Sequence, residues 1–198
     1  MIAELGLAAL WLAAALAVLQ LVCGALATRA GAATTDLALL TRPAAILQGG
    51  LVAFAFAMLL WVFAITDLSV KLVATNSHSA KPLVFKLAGA WGNHEGSMLL
   101  WVTVMALAGG LIALVERRLP ERTMQATLAA QGFVALGFYA FLIFSSNPFE
   151  RLPTPVAEGM GLNPLLQDIG LAFHPPLLYL GYVGFSIAFC FAVAALLE

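Results

Sequence analysis

Charged side chains are absent from five long stretches of this chain: Leu5–Ala27, Ala44–Ile65, Ser97–Val115, Met124–Phe144 and Leu177–Leu197. Each stretch holds 19 to 23 residues, and a helix rising ~1.5 Å per residue needs about 20 to cross a ~30 Å hydrocarbon core. The runs are apolar all round and rich in Ala and Leu, without the period-2 alternation of a membrane barrel strand. The pattern predicts an all-α, polytopic integral membrane protein: one membrane domain over residues 1–198, with transmembrane helices over about 5–27, 44–65, 97–115, 124–144 and 177–197. The first run reads as a retained span. It is longer than a signal-peptide core, Glu4 stands where Lys or Arg would, and no clear cleavage site follows.

The connections set the orientation. Segments Thr28–Pro43 and Glu116–Thr123 carry Arg29, Arg42, Arg117, Arg118 and Arg122, five basic residues in 24, whereas residues 1–4, Thr66–Gly96 and Ser145–Pro176 carry four in 67. The positive-inside rule places the dense set in the cytoplasm, with the N-terminus, both long loops and all three histidines, His78, His94 and His174, outward. Thr28–Pro43 reads as a plain connector, with Arg42-Pro43 opening the second helix. The outward loops, 31 and 32 residues long, exceed what joining two helices requires and contain apolar stretches, so they should fold back onto the membrane surface. In the second, Asn163-Pro164 reads as a cap and first-turn proline, with Leu166, Ile169 and Phe173 on one face of a short interfacial helix.

Composition narrows the classes. The chain has 198 residues, 63% hydrophobic and 10% charged, with a formal net charge of −1 and a mean hydropathy of +1.00. A water-soluble globule, a disordered segment and a basic nucleic-acid binder are all excluded. Cys23 and Cys190 lie inside apolar runs and read as buried hydrophobes. Gln20, Gln48, Gln125 and Gln131 read as residues that pair helices. No Asp, Glu, Lys, Arg or His falls within the five runs, against a proton relay or voltage sensor, and no nucleotide-binding, zinc-protease or nucleophile-elbow motif occurs.

Two segments carry candidate chemistry. His174 precedes Pro175-Pro176, which should force it out of the helical region at the outer membrane edge. A histidine fixed there suits ligation of a metal or haem iron through neutral imidazole, or serves as a surface or structurally hydrogen-bonded residue. The other segment runs Trp91-Gly92-Asn93-His94-Glu95-Gly96-Ser97-Met98-Leu99-Leu100-Trp101, where the third span begins. An aromatic interfacial belt with a helix cap explains most of it; the cluster of Asn, His and Glu between two glycines is left over.

Together with His174-Pro175-Pro176-Leu177-Leu178-Tyr179-Leu180-Gly181-Tyr182-Val183-Gly184-Phe185 and the opening Ile2-Ala3-Glu4-Leu5-Gly6, that segment closely resembles the CcmF/NrfE family of cytochrome c-type biogenesis proteins, the haem lyase subunit. The resemblance runs along the whole chain and covers only the beginning of the family's length. The tryptophan-rich outer segment, a second outward histidine and the histidines holding the family's membrane haem are expected in the remainder.

The resemblance implies c-type cytochrome biogenesis. It implies a haem-binding subunit of the cell inner membrane, N-terminus periplasmic, that takes haem b from the chaperone CcmE and helps attach it to apocytochrome c beside CcmH and CcmI. It makes His174 an axial ligand of the incoming haem iron and assigns Trp91, His94 and Glu95 to shaping the haem or chaperone site; His78 matches nothing in it. Alone, the 198 residues should not be a complete holocytochrome c synthase. The alternative is a structural or transport membrane subunit whose outer loops form a docking surface.

Overall fold

The computed structural model describes residues 1–29, 36–154 and 156–197. The described residues form α1 (Ile2–Arg29), α2 (Asp36–Ala64), α3 (Lys71–Asn76), α4 (Leu83–Ala88), α5 (His94–Val115), α6 (Glu121–Phe144), a 3-10 turn at Pro164–Leu166 and α7 (Ile169–Leu197). Five of these helices are long and apolar enough to span a bilayer, and the protein is an all-α, multi-pass membrane protein. Four of the charge-free runs lie wholly within one long helix, and the second, Ala44–Ile65, passes the end of α2 by one residue.

Small residues set the packing. α1 lies against α2 and α6, and α2 also against α5. Gly49 and Gly110 bring the α2 and α5 backbones together, a Cβ at either meeting a carbonyl of the other helix at 2.9 Å and 3.1 Å. Gly24 and Gly132 do the same between α1 and α6, as expected where lipid supplies no hydrophobic drive and helices associate by close contact. Three of the glutamines join helices: Gln20 donates to the Leu128 carbonyl at 2.7 Å and to Gln131, and Gln125 donates to the Ala38 carbonyl at 3.1 Å. Gln48, fully buried, finds no partner among the described residues. Cys23 and Cys190 are buried and free.

α7 is the least covered span. In its most apolar stretch 17% of residues are buried, against 33–50% in the other four, and Leu180, Tyr182 and Phe185 point outward.

Two boundaries differ from the sequence reading. The second helix begins at Asp36, so Pro43 lies inside it; Leu37 to Leu40 are good helix formers and Asp36 favours the positive helix start. Residues 30–35 of that connector lie outside the described residues. Arg42 donates to the carbonyls of Ala113 and Glu116 at 3.0 and 2.9 Å and pairs with Glu121 at 3.3 Å, closing the C-terminal end of α5. The expected interfacial helix over residues 164–173 is replaced by the 3-10 turn, which Asn163 caps by accepting from Leu165 N–H, followed by the first turns of α7.

The two long loops pair with each other. Val70 and Arg151 form an antiparallel bridge, with Lys71 N–H to the Glu150 carbonyl at 2.8 Å and Leu152 N–H to the Ser69 carbonyl at 2.9 Å. Arg151 forks onto Glu4 at 2.9 and 3.0 Å and also meets Asp67 at 3.2 Å and Ser69. This single guanidinium ties the start of α1 to both loops. Burial raises the Asp67 carboxyl, but donors from Ser69 and Arg151 outweigh it and hold the group below its ordinary value. Glu158 accepts from Ser79 N–H, Ser79 hydroxyl and Gly159 N–H; the hydroxyl and the two N–H groups draw its pKa down to about 2.

Candidate functional site

The segment from Trp91 to Ser97 is built around the start of α5. Asn93 is extended, and its side chain accepts from Gly96 N–H at 2.7 Å as the N-cap, while its amide donates back to the Gly89 carbonyl at 2.6 Å. Gly96 must lack a side chain, because a Cβ there would stand 1.5 Å from the Ala90 carbonyl oxygen. The Ser97 hydroxyl donates to the Trp91 carbonyl at 2.7 Å. Asn93, Gly96 and Ser97 therefore fold the backbone into one tight corner, which answers why a polar cluster lies between two glycines. His94 and Glu95 are what that corner presents.

The corner is bonded directly to the start of α7. Trp91 Nε1–H donates to the Ala172 carbonyl at 2.8 Å. In an uninterrupted helix that carbonyl would accept from the N–H four residues on, but residue 176 is proline and has none. The indole fills the vacancy. This corrects one expectation: Pro175-Pro176 do not expel His174 from the helix. α7 begins at Ile169 and continues through both prolines, because the contact from Trp91, just ahead of α5, compensates one lost bond.

Between α5 and α7 lies an open cavity of about 450 Å³, lined among others by Trp91, His94, Met98, Trp101, Pro175 and Tyr179. Its aromatic lining residues are held by further rings: Trp101 lies 5.6 Å from Tyr179, also in the lining, and 5.8 Å from Tyr182 behind it, and Trp91 stacks on Phe56 at 6.5 Å. Trp101, expected as a second belt residue, is thus half-buried in a cluster joining α5, α6 and α7. His94 is exposed, its Nδ1 lies 2.8 Å from Ser146 Oγ, and its ring meets the edge of Phe141 at 5.4 Å. That fixes the imidazole plane, and among the described residues Nε2 has no partner.

Residues 91–198 match the family described as cytochrome C assembly protein. The chain belongs to this family. The cytochrome c-type biogenesis protein CycK of Rhizobium meliloti (strain 1021) is 52% identical over 198 residues, 100% of this chain and 29% of the relative. CcmF of Escherichia coli (strain K12) is 50% identical over 148 residues, 74% of this chain and 23% of the relative. A solved structure of cytochrome c heme lyase CcmF superposes with a TM-score of 0.84 at 28% identity, over 98% of this chain and 30% of that one. The chain spans less than a third of the length of these relatives.

On the scaffold of this family member, the residues picked out from sequence divide. Trp91 and His94 line the cavity. Glu95 stands half-exposed in the first turn of α5, without a hydrogen bond or ion pair among the described residues. His174, the sixth residue of α7, is exposed and outside the cavity lining, so the structure links it to the Trp91 corner through the helix backbone and not by side-chain contact. His78 lies apart, its Nδ1 accepting from Ala80 N–H at 3.1 Å. Sequence reading missed Tyr179 and Arg151. Tyr179 could have been found from its spacing: Ala172, Pro175 and Tyr179 recur at three and four residues, one face of a helix. Arg151 carried a signal in being a lone arginine on the otherwise lysine-bearing side.

Proposed function

We propose that this chain forms part of a haem lyase of c-type cytochrome biogenesis in the cell inner membrane, with its N-terminus and long loops periplasmic and haem b as the substrate it positions. The partners are the chaperone CcmE, which delivers haem, the apocytochrome c that receives it, and the maturation subunits CcmH and CcmI. The 198 residues contribute one membrane domain, the first part of the longer subunit.

The observation that supports this reading is the Trp91–Ala172 bond, because it fixes the first turns of α7, and so the base of His174, to the α5 corner. The His174 imidazole is exposed and makes no hydrogen bond among the described residues, so its ring nitrogens are available to hold iron. Leu177 and Leu178, both exposed one turn on, offer the apolar surface a porphyrin face requires. His94 and Glu95, set on the neighbouring helix start, shape the approach of chaperone or apocytochrome. The work is positional: the vinyl groups must be held within reach of the apocytochrome thiols, and fixed geometry supplies more of the barrier reduction than an acid or base.

The test is His174→Ala in the complete subunit. Haem capture and transfer should be lost while insertion and abundance stay near normal, with partial rescue by added imidazole. Unchanged haem capture with an unchanged absorption spectrum would overturn the assignment.

A further inference from the structure

A second cleft, of about 510 Å³, opens at the other end of the bundle between α1, α6 and α7. Its walls are apolar, with Leu21 and Ala25 from α1, Ala130 and Phe133 from α6, and Phe189 and Val193 from α7. Phe133 and Phe189 are 69% and 57% exposed, so the slot faces the bilayer. At its mouth stand Arg29, the last residue of α1, and Arg122, the second of α6. Among the described residues neither meets a carboxylate. Arg29 has no hydrogen bond or ion pair among the described residues, and Arg122 reaches only the Leu197 carbonyl at 3.5 Å. Glu121, the adjacent carboxylate, turns away to Arg42. Thr28, the other polar lining group, spends its hydroxyl on the Gly24 carbonyl at 2.7 Å.

We propose that this cleft binds one anionic phospholipid, its phosphodiester between Arg29 and Arg122 and an acyl chain in the slot. Two features argue together. Guanidinium groups match phosphate oxygens in geometry and charge, and the slot runs from their level into the hydrocarbon zone with no polar group to satisfy. A zwitterionic lipid would fill the slot but bring its own cation to the arginines; a free anion would meet the arginines and leave the slot unused. Basic groups between membrane helices on the arginine-rich side attract anionic headgroups in this way.

The experiment is native mass spectrometry of the chain in micelles carrying equal phosphatidylglycerol and phosphatidylcholine. Retention of one phosphatidylglycerol with roughly tenfold preference is expected. Arg29→Gln with Arg122→Gln, both exposed and outside the core, should erase the preference, and Ala130→Phe should lower retention of both lipids. Equal retention of the two lipids would overturn the proposal. So would a preference unchanged in the double variant, which would assign it to other arginines, or displacement of the lipid by millimolar inorganic phosphate, which would make the site one for a free anion.

Discussion

Trp91 Nε1–H lies 2.8 Å from the Ala172 carbonyl oxygen, the acceptor that Pro176 leaves without its helical donor. An indole substituting for a backbone N–H makes a specific coupling between two positions 85 apart. Trp91→Phe should cost about 1–3 kcal/mol, the penalty of a buried carbonyl left unpaired. Pro176→Ala restores an N–H to that carbonyl, so Trp91→Phe with Pro176→Ala should unfold less readily than Trp91→Phe alone. Thermal unfolding in micelles, with amide exchange over residues 169–176, measures both. Strict additivity of the two substitutions would contradict the coupling.

Two glycines should respond in opposite directions. Gly96→Ala drives a methyl into the Ala90 carbonyl and disturbs the Asn93 cap, an overpacking of about 3 kcal/mol. Gly137, exposed in α6 with nothing within 4 Å of a new Cβ, should tolerate alanine and gain about 0.5–1 kcal/mol from reduced backbone freedom. Melting temperatures that move the same way for both would be inconsistent with the corner described.

Acid should open the loop pairing at Glu158 before it unfolds the bundle. The group is depressed to about 2 by Ser79 and Gly159, so its contribution is fully present above the ordinary carboxylate value of 4.5 and lost as pH falls from there toward 2. Hydrogen exchange at Ser79 and Gly159 should rise across that window, and Glu158→Gln should show the raised exchange already at neutral pH.

Orientation is tested by single cysteines at exposed sites. An impermeant maleimide added to intact cells should label Thr154→Cys and leave Arg118→Cys unlabelled until the membrane is permeabilised; the reverse would invert the topology. Native Cys23 and Cys190 are buried and do not compete.

The membrane spans were legible because hydrocarbon imposes its length requirement on every helix, as in the Met124–Phe144 run, which α6 exceeds by three residues at its start. What escaped the sequence depended on tertiary partners. Pro176 on its own predicts a break, and only Trp91, contributed by a distant corner, explains why α7 continues. Arg42 reads as a cytoplasmic charge, whereas its reach to the last carbonyls of α5 requires two helices side by side. In the site, Trp91 and His94 were recognised as a motif, while the aromatic wall of Trp101 and Tyr179 emerged only when α5 and α7 met.

The clamp at Arg151 has a temporal side. Its carboxylate partner Glu4 lies 147 positions earlier in the chain, and at ~5–20 residues added per second a ribosome takes about 7–30 s to travel between them. Throughout that interval Glu4 has the Met1 ammonium beside it but lacks its guanidinium partner. The end of the bundle that carries Glu4 is therefore completed late in biosynthesis, after α6 has emerged, and variants at Arg151 should accumulate nascent chains whose N-termini stay accessible to proteases.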